Sequence, residues 1–126
     1  MQPTTIKLHR KSKTLEISWG DANYQLSAEY LRVFSPSAEV TGHGPGQEVL
    51  QLNKQDVAVN GVEPQGNYAI KLLFSDGHDS GIYSWTYLKE LAEKHDQNWQ
   101  AYKARVTAHQ RSLDEQETSP VKWIDP

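Results

Sequence analysis

The chain has 126 residues, a formal net charge of -3 from 13 Lys and Arg against 16 Asp and Glu, and no cysteine. That length suits one domain with a single core and at most a tail, and an acidic balance with pI ≈ 5.9 lacks the basic footprint of a nucleic-acid binder. Zero cysteines exclude disulfides, thiolate nucleophiles and cysteine-held zinc or iron–sulfur sites.

Mean hydropathy is -0.74, and four Trp and six Tyr point to a modest core rich in aromatics. The first residues, MQPTTIKLHRK, carry no apolar signal-peptide core, and no segment approaches the length of a membrane span. A soluble cytoplasmic protein without membrane contact is the expectation.

In TTIKLHRKSKTLEISW, Ile6 and Leu8 share one face, as do Leu15, Ile17 and Trp19, with a charged turn around Arg10 to Lys13. Period-two alternation on both sides of a polar connection predicts a β-hairpin. Gly20-Asp21 turns the chain into a third strand carrying Tyr24 and Leu26. SAEYLRVF then predicts a short helix, with Ser27 as N-cap, Glu29 in the first turn and Ser35-Pro36 ending it. Its buried side is expected at Tyr30, Leu31 and Phe34.

Residues 35 to 48 hold two Pro and three Gly and read as one long loop of the functional kind. VLQL and VAVNGV read as strands, with Asn60-Gly61 a turn or bulge. In NYAIKLLF, Tyr68, Ile70, Leu72 and Phe74 alternate, which predicts a central strand. After the polar loop SDGHDSG, the stripe Trp85, Leu88, Leu91, Ala92, His95, Trp99, Tyr102 and Val106 predicts an amphipathic helix to about residue 109. The fold expected is α+β: a small, mostly antiparallel sheet of about five to seven short strands, one short helix and one long C-terminal helix. Residues 1–110 form the domain, and 111–126 an acidic, flexible tail, in which Trp123 and Ile124 are candidate partner contacts.

No catalytic signature is present. GxxxxGK, GxSxG and HExxH are absent, and no histidine has a carboxylate two residues on, the spacing in which the 2-oxoglutarate iron oxygenases supply the first two ligands of their facial triad. GHGPG at 42–46 does not join a strand to a helix, and Pro45 removes an N–H donor an anion would use. Asp76, His78 and Asp79, with His43 as companion, form the densest set of potential ligands for zinc or iron. The plainer reading makes Asp76-Gly77 a turn and His78 a loop residue.

Leu15-Glu16-Ile17-Ser18-Trp19, Tyr30-Leu31-Arg32, Gly66-Asn67-Tyr68-Ala69-Ile70 and SDGHDSGIYSWTYL at 75–88 together resemble the gamma-butyrobetaine hydroxylase-like N-terminal domain family. Its members include small bacterial stand-alone proteins of unknown function. The module is similar to the N-terminal part of carnitine-pathway dioxygenases and to a segment of some Mrp-type iron–sulfur scaffold ATPases. In the dioxygenases it resembles a zinc unit of three cysteines and one histidine. Carried onto this chain, those positions fall on Ser35, Ser37, Val40 and His78, so the resemblance implies a degenerate zinc site. It also implies that the dioxygenases' iron belongs to a separate domain, so hydroxylase chemistry does not transfer.

The expectation is therefore a non-catalytic binding or adaptor domain, without cofactor, acting on an unidentified protein partner. The alternatives are a metal-binding protein using His78 with Asp76, Asp79 and His43, or an iron–sulfur assembly accessory acting by docking. Neither the partner nor the oligomeric state is legible in these residues.

Overall fold

The computed structural model describes residues 2–118, so Trp123 and Ile124 lie outside the described residues. The described residues divide into two compact units, one up to His95 and one from Asp96 onward. The first contains two three-stranded antiparallel sheets, six strands in all, which with the helices make the α+β class expected.

The first sheet is β1 (Thr5–His9), β2 (Thr14–Trp19) and β3 (Ala22–Ser27) in that order. Ile6 lies opposite Ile17, and Leu8 opposite Leu15, which itself faces Leu26. The alternation thus places every apolar residue on one face, and Leu15, Ile17 and Leu26 are buried. Ser27 ends β3 and caps α1 (Ala28–Val33), its hydroxyl accepting from the Tyr30 N–H at 3.0 Å. Tyr30 and Leu31 are buried as the spacing predicts, and Phe34 is half-buried.

The segment predicted as one loop contains a single helical turn, α2 (Ala38–Thr41). VLQL forms no strand. Four residues are too few to fix a period, and here the side chains have other uses: Gln51 bonds Arg32 and the Val49 carbonyl, while Val49 is half exposed.

The second sheet is β4 (Val59–Gln65), β5 (Ala69–Phe74) and β6 (Ile82–Ser84), with β5 central as expected. The register shifts between Val59 and Gly61, so Asn60-Gly61 is a bulge. Ile70, Leu72 and Phe74 join the core, whereas Tyr68 precedes the strand and is largely exposed. Ser84 caps α3 (Trp85–Glu93) by accepting from the Tyr87 N–H at 3.1 Å.

The helix expected from 85 to 109 is two helices. It ends at Lys94, with φ -102 and ψ 20, and α4 (His95–Thr118) follows. Leu88, Leu91 and Ala92 are buried on α3. Asp96 lies in the first turn of α4, where a carboxylate suits a new helix start. Residues 111–118, read as tail, continue α4.

Within the first unit, α1 lies against β3, and α3 lies against both β3 and β6. The Tyr30 hydroxyl donates to the Leu91 carbonyl at 2.6 Å and its ring lies 4.5 Å from that of His95. Tyr30→Phe keeps the ring and leaves that carbonyl unpaired, so urea denaturation is expected to show a loss of about 1–2 kcal/mol.

Candidate functional site

The C-terminal end of α1 delivers Ser35, Pro36 and Ser37 into the interior. The hairpin turn after β5 delivers His78 to the same place. Ser35, Ser37 and His78 are all buried, at 1%, 6% and 6% exposure. The Ser35 and Ser37 hydroxyls stand 2.8 and 3.3 Å from Nε2 of His78.

On the other side of the ring, Oε2 of Glu39 is 3.4 Å from Nδ1. A carboxylate only accepts, so the neutral ring carries its proton on Nδ1 and accepts at Nε2, where the Ser35 hydroxyl at 2.8 Å is the principal donor and Ser37 the longer contact. Burial first, and the Arg32 guanidinium second, hold His78 below the ordinary histidine range, against the pull of Glu39 and Asp76. The ring is accordingly neutral at pH 7.

The loops are closed by this clasp. Ser35 Oγ also accepts from the Ser37 N–H at 3.3 Å, and Ser80 donates to Oε1 of Glu39 at 3.1 Å. Val40, the remaining position marked by the resemblance, is buried, and its carbonyl accepts from the Val49 N–H at 2.8 Å. Gly81 lies so close to Ser35 that a β-carbon there would collide with Oγ, besides meeting the Tyr83 ring at 3.3 Å and Pro36 at 3.4 Å.

Asp76 belongs to a second, adjoining network. Its carboxylate accepts from Arg32 Nε at 2.9 Å, from Lys54 at 3.1 Å and from the His78 N–H at 3.1 Å. Arg32, itself buried, reaches Gln51 at 3.0 Å with Nη1. Desolvation would raise the Asp76 carboxyl, but the His78 N–H, Lys54 and Arg32 outweigh it and bring the group down to about 2. The bond from the His78 N–H closes an Asx turn around Gly77, which has φ 88, so the turn reading of Asp76-Gly77 describes what this carboxylate does.

Of the ligand set read from the sequence, only Asp76 and His78 share a network, and they meet through a backbone N–H. Asp79 and His43 are exposed, and no contact joins His43 to His78 among the described residues. Among those residues no group of three or more His, Asp or Glu is disposed to hold a metal ion. Arg32, Glu39, Lys54 and Gln51 were not singled out as site residues from the sequence. Single polar residues in loops carry no periodic signal, and Arg32 lies off the face expected to be buried at Tyr30, Leu31 and Phe34, so its burial at 7% exposure emerges only in the structure.

Ser35, His78 and Glu39 stand in the order hydroxyl, imidazole, carboxylate, which is also the order of a nucleophilic triad. Here the hydroxyl is sealed beneath Gly81 and Pro36, and the arrangement ties two loops together.

Two small sheets closed by α1 and α3, with paired loops clasped through a buried histidine, define a compact α+β module. The chain belongs to the gamma-butyrobetaine hydroxylase-like, N-terminal family, whose model matches residues 6–89. Two NMR solution structures are similar to it. One is 53% identical, with 86% of each chain covered and a TM-score of 0.76. The other is 49% identical, with 86% of this chain and 82% of that one covered and a TM-score of 0.74. A crystal structure from Acidithiobacillus ferrooxidans, of a protein of unknown function in the DUF971 family, is 37% identical over 72% of this chain and 92% of its own, with a TM-score of 0.60. No curated protein matches the chain.

Two outcomes are expected. Gly81→Ala should cost about 1–3 kcal/mol in urea denaturation through overpacking, and that cost should shrink by at least about 0.5 kcal/mol in a Ser35→Ala background, where Oγ is gone. An equal cost in both backgrounds would show that Ser35 does not abut Gly81. The second concerns acid. A carboxyl lowered to about 2 in the fold stabilises the protein above its unfolded value of 3.8, and the contribution disappears as pH falls through 2. Water contact screens it to about 1 kcal/mol. Asp76→Asn should therefore flatten the fall in stability between pH 5 and pH 2, measured by chemical denaturation.

Proposed function

We propose that the protein is a non-catalytic binding domain that serves a protein partner and carries no metal or cofactor. The observation that supports this is the use already made of its chemically capable side chains. His78 Nε2 is within 3.3 Å of two serine hydroxyls, Asp76 holds two cations and a backbone N–H, and Ser35 is 1% exposed. A base, acid or nucleophile has to reach a substrate, and here Ser35 and His78 are buried while Asp76 is engaged by Arg32, Lys54 and a backbone N–H. Membership of a family with members of unknown function is consistent with such a role.

The test is affinity capture from native lysate with the full chain as bait, combined with elemental analysis of untagged protein. A reproducible protein partner is expected, with metal content far below one ion per chain and unchanged by His78→Ala. Recovery of no partner, or stoichiometric metal lost in His78→Ala, would overturn the reading.

A further inference from the structure

The two sheets are treated unequally at their margins. α3 lies against both β3 and β6, so one side of the sheet pair is closed by helix. β1 and β4 are the edge strands on the other side. Between them the molecule is open, in a groove of about 550 Å³, a volume in the range of built binding sites.

Its apolar lining comes from Ile6 and Leu8 of β1, Val62 and Pro64 of β4, Ile70 of β5 and Trp85 at the start of α3. Ile6 and Leu8 are half-buried, and each lies opposite a wholly buried residue of β2, Ile17 or Leu15. The groove is thus the uncovered continuation of the core. Arg10, on the same face of the chain as Ile6 and Leu8, lines it too.

The edges differ in kind. β4 is blunted, since Pro64 offers no N–H and the bulge at Asn60-Gly61 breaks the ladder. β1 runs without proline or bulge through five paired residues, and among the described residues its one strand neighbour is β2. A regular, unpaired edge beside an apolar groove is the geometry of strand addition, in which main-chain bonds supply affinity and alternate side chains fill pockets.

The charge around this edge selects the partner. Although the chain is acidic overall, Lys7, Arg10, Lys11 and Lys13 cluster on the β1–β2 hairpin. Among the described residues Arg10, Lys11 and Lys13 stand in no ion pair. Arg10 donates to the Asn60 carbonyl at 3.3 Å and Lys13 to the Asp56 carbonyl at 3.3 Å, so the partners shown for them are backbone carbonyls and not carboxylates.

We propose that β1 accepts an extended, acidic peptide segment of a partner protein, with apolar side chains at alternate positions that enter the groove between Ile6, Leu8, Val62 and Pro64. The proposal rests on the binding-domain reading and names the surface and the chemistry of what is bound.

A phage-displayed library of random 12-residue peptides, selected on the full chain, tests it. Enriched peptides should alternate apolar residues and carry Asp or Glu. Titrated by calorimetry, a synthetic peptide of the enriched sequence should bind at least tenfold more weakly to Arg10→Glu and to Lys11→Glu. Both sites are exposed, and circular dichroism confirms that each variant folds. A peptide with its acids changed to Lys should reverse the preference. Amide shifts in ¹⁵N spectra should concentrate at residues 5–10 and 61–67.

Absence of enriched peptides, unchanged affinity in both variants, or shifts elsewhere would overturn the proposal. So would decanoate, run in parallel, occupying the groove when no peptide does, which would make it a small-molecule pocket. Capture of a lysate partner that persists in Arg10→Glu sinks the groove while leaving the binding-domain reading intact. Capture of nothing by any form sinks that reading.

Discussion

Tyr83 and Tyr87 donate their hydroxyls to the carbonyls of Leu31 and Phe34, at 2.6 and 2.5 Å, and the organisation of the first unit depends on that end of α1. A helix of six residues is too short to stand alone, and its last carbonyls have no partner within the helix. Placed in the interior, they would each cost free energy if unpaired. The tyrosines satisfy them from β6 and from α3, and so join the second sheet to the helix that follows the first. Burial raises both hydroxyls, Tyr87 to about 12 and Tyr83 further, so both remain donors at any ordinary pH.

The clasp follows from that attachment. Ser35 and Ser37 begin where α1 ends, and β5 with β6 brings the turn holding His78 beside them. The imidazole meets its hydrogen-bonding capacity with the Ser35 hydroxyl at Nε2, Ser37 lying 3.3 Å from the same nitrogen, and a carboxylate at Nδ1. The buried members, His78, Ser35 and Ser37, are neutral and the Glu39 carboxylate is 71% exposed, so the clasp avoids the desolvation cost of a buried charge. The one buried charge nearby, Arg32, has its carboxylate in Asp76 at 2.9 Å. What the long loop needs in order to stay closed is thus provided by side chains, which explains how a segment with two prolines and three glycines keeps buried residues at its start.

Much of this was legible in the sequence, and unevenly so. Alternation at Ile6, Leu8, Leu15, Ile17 and at Ile70, Leu72, Phe74 reports burial directly, because a strand has only two faces. Ser27 and the Asn60-Gly61 pair were legible because capping and bulging impose residue types locally. Two sheets rather than one were not legible, since alternation says which residues turn inward and nothing about which strands pair. The stop at Lys94 was hidden for a related reason: the apolar stripe continues through His95, Trp99 and Tyr102, and periodicity has no term for a helix that restarts. Among the polar residues, His78, Ser35 and Ser37 stood out through the family resemblance. Glu39 and Arg32 acquire their roles only when segments about forty residues apart are brought together.

The same physics that makes the clasp inert makes the opposite margin available. Buried hydrogen bonds and tyrosine-capped carbonyls engage the polar groups at the end of α1 and in the clasp. On the β1–β4 side the main chain of an edge strand is unpaired by construction, and Ile6 and Leu8 are only half removed from water. Edge strands are usually guarded, as Pro64 and the bulge guard β4. The guard on β1 is of another kind, a run of cations that repels a second copy of the same edge and attracts an acidic strand. Cationic gatekeeping against self-association and selection of an acidic partner are then one property of the hairpin seen from two sides.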